Sequence, residues 1–172
     1  PCAIAAALAP PGAELRSLVA IAFATLPLNL FVYALNDLYD VETDRANARK
    51  GSIEGARLEP TRLRRLVALA VLVLAPFVIF FALTASASAN AALFLLLGAA
   101  VAYSAPPLRL KGAPVLDSLS NAAYALPFVF ACLLLRVPDP PWREAAAFAA
   151  WAVGSHALTA IQDAAVDRAA GI

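Results

Sequence analysis

Charge is scarce in this sequence. Only 15% of its 172 residues are Asp, Glu, Lys or Arg, and they nearly cancel to a net +1; soluble domains carry about 25%. No overall field therefore selects nucleic acid or an acidic partner. Methionine is absent, so Pro1 is not expected to be a translated start. The chain reads as an internal fragment of a longer protein, and no signal peptide can be sought in it. Of the two cysteines, Cys2 and Cys132, neither has a metal-ligand spacing, and both lie in apolar runs; they read as small buried hydrophobes.

What fills the space is apolar. The hydrophobic fraction is 62%, against about 45–50% in ordinary soluble domains, an excess too large for one core of this size. The charged residues gather in a few short stretches with long uncharged runs between them, the composition of a polytopic membrane protein. A soluble enzyme, a disordered tail and a nucleic-acid module are excluded.

Six apolar blocks follow. Pro1–Ala9 reads as the tail of a helix. Leu15–Leu35, uncharged apart from Arg16, spans about 30 Å as a helix, one hydrocarbon core. Leu66–Thr84 is expected to kink at Pro76. Ala91–Tyr103 is short and is expected to be extended by Ser86–Asn90. Leu116–Leu135 is expected to break at Pro127. Ala145–Ile161 follows the Pro138–Pro141 turn, with Trp142 as an interfacial anchor. If every block spans, residues 36–65, 104–114 and the C-terminal segment share one side and hold ten of the 13 Lys and Arg, against Arg16, Arg136 and Arg143 opposite. The positive-inside rule places the long connectors in the cytoplasm, with a prokaryotic cell membrane as the expected location.

Two acidic clusters close the second and sixth blocks. On a helix, Asn36, Asp37, Asp40 and Asp44 fall within an arc of about 100°, with Tyr33 and Asn29 on the same face. Carboxylates on one helix face repel unless a cation sits between them, and at a membrane edge such groups read as functional. Asp163 and Asp167 share a face by their i, i+4 spacing, with His156 and Thr159 one to two turns below. Oxygen-only donors of this kind suit Mg²⁺, which keeps waters and shares phosphate oxygens. The competing reading is of solvated helix caps, which weakens when both clusters occur on one side of a charge-poor chain.

Between them, Pro106-Pro107 ends the fourth block and is expected to hold Arg109 and Lys111 in an extended strip on the cluster side. The strip either aims two cations at a diphosphate or binds lipid headgroups. Asp117 and Asn121 are expected to cap the fifth block or to pair with Arg109 and Lys111. His156 either orients a metal ligand, or acts as a base, or is a buried histidine bonded to a neighbouring helix.

Asn36-Asp37-x-x-Asp40-x-x-x-Asp44, the strip from Tyr103 to Lys111 and Asp163-x-x-x-Asp167, in this order, resemble the UbiA superfamily of intramembrane prenyltransferases over nearly the whole chain. The resemblance implies an all-α transmembrane bundle forming a single domain over residues 1–172. The chain would cover the end of helix 1 through helix 6 of nine. It also implies Mg²⁺-dependent prenyl transfer from an allylic diphosphate to a lipophilic acceptor. By it, Asn36, Asp37, Asp40, Asp44, Asp163 and Asp167 hold metal, with Asp37, Asp40, Asp163 and His156 catalytic. Arg45, Arg109 and Lys111 contact the diphosphate, while Asn29, Tyr33 and Tyr103 contact substrate. Tyr33, Tyr39, Tyr103 and Tyr124 either offer ring faces to a developing cation or simply pack.

The residues from Arg45 to Ala56 and from Ser155 to Asp163 are similar to lycopene elongases of C50 carotenoid synthesis, although Gln162 stands where such members are expected to have proline. Tyr103–Lys111 is also similar to chlorophyll synthases. The partners implied are a prenyl diphosphate, a carotenoid or other polyisoprenoid acceptor and membrane lipids, with no nucleic acid. Chlorophyll- or quinone-type transfer is the alternative. Outside enzymes, a cation transporter remains, although that would place polar groups near the midplane of several helices. A soluble prenyl-diphosphate synthase fails on hydrophobicity.

Overall fold

The computed structural model describes residues 1–46 and 58–170, with side chains as far as residue 161 apart from positions 43 and 46. Among the described residues the chain is all helical, with no strand: α1 (Cys2–Ala7), α2 (Glu14–Thr25), α3 (Pro27–Tyr39), α4 (Val41–Ala46), α5 (Pro60–Thr84), α6 (Ala87–Ser104), α7 (Pro114–Ser120), α8 (Leu126–Leu135) and α9 (Trp142–Ala170). Short 3₁₀ segments cover Leu110–Gly112 and Asn121–Ala125.

Four stretches are long and apolar enough to cross a membrane: Glu14–Tyr39, Pro60–Thr84, Ala87–Ser104 and Pro114–Leu135. The chain is a multi-pass membrane protein. The block Ala145–Ile161 lies inside α9, which is not among those four over its described residues; Gly154, Ser155, His156 and Thr159 dilute its hydropathy. Side chains such as Leu72 and Leu83 on α5 are 69% and 80% exposed, which suits a surface facing lipid tails.

Proline sets most of the boundaries. Pro27 opens α3, where its missing N–H costs nothing, and the first span breaks at Leu26. The Asn29 side-chain amide donates to the carbonyls of Ala24 (2.9 Å) and Thr25 (2.6 Å). Those bonds satisfy backbone at a break that water cannot reach inside a bilayer. Pro60 opens α5 two turns earlier than the apolar pattern suggests, because Arg62, Arg64 and Arg65 are good helix formers; the helix then runs without a break through Pro76. Ser86 caps α6 by accepting from the Ala89 amide at 3.3 Å, so the fourth block does extend back as expected. The fifth breaks ahead of Pro127 rather than at it. Pro127 sits in the first turn of α8, and the five residues Asn121–Ala125 before that helix tighten into 3₁₀ geometry.

α3 packs against α5, α6 and α1 pack against α8, and α9 packs against the 3₁₀ segment Asn121–Ala125. The core centres on three fully buried rings, Phe23, Phe81 and Phe130. Their centroids are 5.0–5.8 Å apart and each pair meets edge to face, the arrangement that aromatic quadrupoles favour. Cys2 and Cys132 are free and buried, in keeping with their reading as small hydrophobes.

Candidate active site

The polar end of α3 is where the fold concentrates chemistry. α3 stops at Tyr39, and Asp40 (φ −104°, ψ 6°) caps it before α4 starts at Val41. The Asp44 amide donates to the Asp40 carbonyl at 2.7 Å, the first bond of α4, while the Asp40 amide reaches back only three residues, to Asp37 O at 3.3 Å, so the regular helix is interrupted at the joint. The four residues expected on one helical face take part in two adjoining features, and the charge of Asp44 still acts on Lys111 beside that of Asp40. Asn36 and Asp40 turn to the connector after α6. Asp37 and Asp44 line a hollow of about 140 Å³ together with Arg45 and Glu59.

That connector is not the extended strip expected from Pro106-Pro107. Arg109 lies in the left-handed region (φ 37°, ψ 57°), and Leu110–Gly112 closes a 3₁₀ turn. Non-glycine residues seldom adopt that conformation. Here the Arg109 amide donates to Ala105 O (2.9 Å) and its guanidinium to Tyr39 O (3.2 Å). The turn brings Lys111 back onto α3. Its Nζ lies 2.6 Å from Asp40 Oδ1 and donates to Asn36 Oδ1 at 2.9 Å. Ser104, itself buried, donates to the same Asn36 oxygen at 3.3 Å. The Arg109 guanidinium stands 3.9 Å from Asp40. Burial pushes the Lys111 ammonium below the ordinary lysine range, and the hydrogen bond and charge of Asp40 oppose that shift.

Next to this cluster opens a cleft of about 270 Å³ between α3, α6 and the start of α8. Tyr33, Tyr103 and Tyr124 line it with Asn29 and Asn36; Tyr39 is not among its lining residues. Asn36 therefore belongs to both the cleft wall and the Lys111 cluster. Asn29 has its amide N–H groups committed to the α2–α3 break.

Asp117 and Asn121 neither cap α7 nor reach the basic turn. The residue at the N-cap of α7 is Ala113, with no side-chain cap. The Asp117 carboxylate accepts from the Tyr103 hydroxyl at 3.0 Å and faces His156 Nε2 at 3.6 Å. Ser118 Oγ lies 3.5 Å from His156 Nδ1. Asn121 donates instead to the Asp117 carbonyl at 2.8 Å. Two residues that the sequence pattern did not single out, Ser104 and Glu59, are thus part of the site, and Asp117 joins it through partners other than the expected ones. Ser104 carries no sequence signal beyond its place beside Tyr103.

The side chains of Asp163 and Asp167 lie outside the described residues, as do residues 47–57 of the segment that follows the first motif. α9 continues as a helix to Ala170, which puts position 163 about 10 Å beyond His156 along its axis. Among the described residues, no three His, Cys, Asp or Glu side chains gather to hold a metal ion by themselves. The donors facing the hollow nonetheless fit Mg²⁺, which is bound through one or two carboxylates and completes its shell with water and substrate phosphates.

Comparison with known proteins agrees in kind. The family model described as the UbiA prenyltransferase family matches residues 1–172. The lycopene elongase/hydratase of Halobacterium salinarum is 40% identical over 159 residues, covering 91% of this chain and 55% of that protein. The lycopene elongase/hydratase of Haloarcula japonica is 37% identical over 165 residues, covering 94% and 55%. The C(50) beta-cyclic carotenoids biosynthesis protein LbtBC of Dietzia sp. is 33% identical over 175 residues, covering 100% and 40%. The chain thus spans about half the length of these relatives. No solved structure matches.

Proposed function

The chain belongs to the UbiA prenyltransferase family, and from that premise we propose that it carries the diphosphate-binding part of an enzyme that transfers a prenyl group from an allylic prenyl diphosphate to a lipophilic acceptor, a carotenoid or other polyisoprenoid. The observation that carries this reading is the junction at Asn36. On one side of it stand Asp40, Lys111 and Arg109; on the other is a cleft walled by three tyrosines. A charged head and an apolar chain on one substrate need such a junction.

Each residue has a task. Lys111 and Arg109 neutralise diphosphate oxygens as the allylic C–O bond breaks, and Arg45 at the rim of the hollow adds a third cation. Asp37 and Asp44, with Asn36 and Asp40 beside them and Asp163 and Asp167 from α9, are the residues to hold Mg²⁺. The bound ion would supply Lewis-acid stabilisation of the leaving diphosphate. Tyr33, Tyr103 and Tyr124 keep water from the developing allylic cation and offer it ring faces. The names of the relatives favour a polyisoprenoid acceptor over chlorophyll or a quinone. In this reading the excess of basic residues in the connectors favours the cytoplasmic side for this end of the bundle, the membrane is that of a prokaryotic cell, and residues 1–172 are a fragment of a single transmembrane prenyltransferase domain.

Membranes from cells expressing the gene, incubated with labelled allylic diphosphates and a polyisoprenoid acceptor, test the proposal. A prenylated acceptor formed only in the presence of the diphosphate and a divalent ion is expected. Uptake of cations with no dependence on any allylic diphosphate would overturn it in favour of a transporter.

A further inference from the structure

Asp117 of α7 lies in neither acidic motif, yet α6 and α9 both bring a side chain to its carboxylate. α6 supplies the Tyr103 hydroxyl at 3.0 Å. α9 supplies His156 Nε2 at 3.6 Å, and the two side chains of that pair are only 20% and 25% exposed. α7 supplies Ser118, 3.5 Å from the other ring nitrogen of His156. The backbone is tied to the same point, since the Asp117 carbonyl accepts from Ser120 Oγ at 2.7 Å and Asn121 Nδ2 at 2.8 Å. A largely buried carboxylate is costly unless it is well partnered.

The network reaches the cleft through Tyr103, which both lines it and donates to Asp117; Asn121 lines it as well. Prenyl transfer onto an alkene carbon raises a chemical demand that the cations around Asp40 cannot meet. As the allylic C–O bond breaks and the new C–C bond forms, the acceptor is left as a tertiary carbocation. The reaction ends when that cation loses a neighbouring proton or captures water. Asp40 is engaged by Lys111 at the charged end, on the diphosphate side of Asn36.

Resting on the prenyl-transfer reading above, we infer that Tyr103, Asp117 and His156 form the proton-accepting relay that ends the reaction. A C–H bond next to the cation gives its proton to Tyr103 Oη, and the electron pair of that bond becomes the new C=C. The proton that Tyr103 already shares with Asp117 passes to Oδ1, and His156 accepts it onward from the same oxygen. Acceptor and prenyl diphosphate become the elongated alkene, diphosphate and one proton. Tyr103 is the catalytic residue of this step; Asp117 and His156 position it and hold the charge.

The test uses the whole gene product in membranes with an allylic diphosphate and an alkene acceptor. It measures released diphosphate together with the elongated alkene and the alcohol formed by water capture. In Asp117→Asn and in Tyr103→Phe, alkene formed per diphosphate released falls at least about tenfold and the alcohol takes its place. Asp117→Glu restores part of the alkene. A merely structural role lowers all three quantities together and leaves the ratio unmoved; a ratio within about twofold of wild type in both variants overturns the relay and assigns the proton to another base, such as the diphosphate itself. Should Asp117→Asn fail to accumulate, Tyr103→Phe decides. A wild-type protein that releases no diphosphate in the presence of acceptor overturns the prenyl-transfer reading, and the relay falls with it.

Discussion

Lys111 Nζ stands 2.6 Å from Asp40 Oδ1, although 71 positions separate the two in sequence. The contact fastens the turn after α6 onto the end of α3 and fixes the charged rim of the tyrosine cleft. Burial pushes the Lys111 ammonium below the ordinary lysine range, and its contacts with Asp40 and Asn36 hold it at the rim. An anion that reaches this rim meets a cation already in position.

Lys111→Ala removes that one cation while Arg109 and Arg45 remain. Turnover should fall roughly 10- to 100-fold, mostly as weaker binding of the prenyl diphosphate, so that KM rises more than kcat falls. Steady-state kinetics with the diphosphate as the varied substrate check the split. An effect confined to kcat would move Lys111 from binding to the chemical step.

The aromatic core offers a stability test that is independent of function. Phe23 is fully buried and meets Phe81 at 5.4 Å and Phe130 at 5.8 Å. Phe23→Ala empties the centre of the triangle and should cost about 3–5 kcal/mol. In detergent this appears as a lower unfolding temperature. Tyr124→Phe, at the cleft wall, keeps its ring and should leave the unfolding temperature within a few degrees.

Metal removal separates the proposed chemistry from simple lipid binding. The donors facing the hollow are oxygens, so activity should vanish in EDTA and return with Mg²⁺ or Mn²⁺, whereas softer ions should restore it poorly. Product formation measured across a chelator titration checks this. Full turnover in EDTA would remove the metal from the proposal.

The legible parts of the site were those written in local spacing. Asn36, Asp37, Asp40 and Asp44 announce themselves within nine residues, and four of the apolar blocks match stretches long enough to span, whereas Ala145–Ile161 does not among the described residues. What the sequence could not show is how the ends of helices turn. The joint at Asp40 contains neither proline nor glycine, so an unbroken helical stripe is the simpler expectation, and the break between α3 and α4 is hidden. Pro106-Pro107 suggests an extended strip, but Arg109 takes a left-handed conformation, and its guanidinium bonds Tyr39 O on a different helix. Its neighbours in the chain suggest Asp117 as a cap or as a partner of Arg109 and Lys111, whereas its partners Tyr103 and His156 come from α6 and α9. Contacts of that kind exist only once helices have packed.

The two acidic clusters should differ sharply from the basic turn when substituted. Asp40→Ala removes an oxygen donor and at the same time leaves Lys111 without the carboxylate it is 2.6 Å from. Asp163→Ala removes the first carboxylate of the second motif. In either variant a multi-carboxylate site loses a ligand and the diphosphate charge is left less compensated. Turnover should therefore fall at least about 10³-fold, more than about 4 kcal/mol of transition-state stabilisation. The measurement is prenyl transfer by each variant in membranes, alongside Lys111→Ala, with folding checked by detergent-solubilised yield. A folded aspartate variant within about threefold of wild type would show that its carboxylate does not belong to the site. If Asp40→Ala is inactive and Asp163→Ala is not, the first motif alone holds the metal, and α9 contributes through His156 rather than through its acidic end.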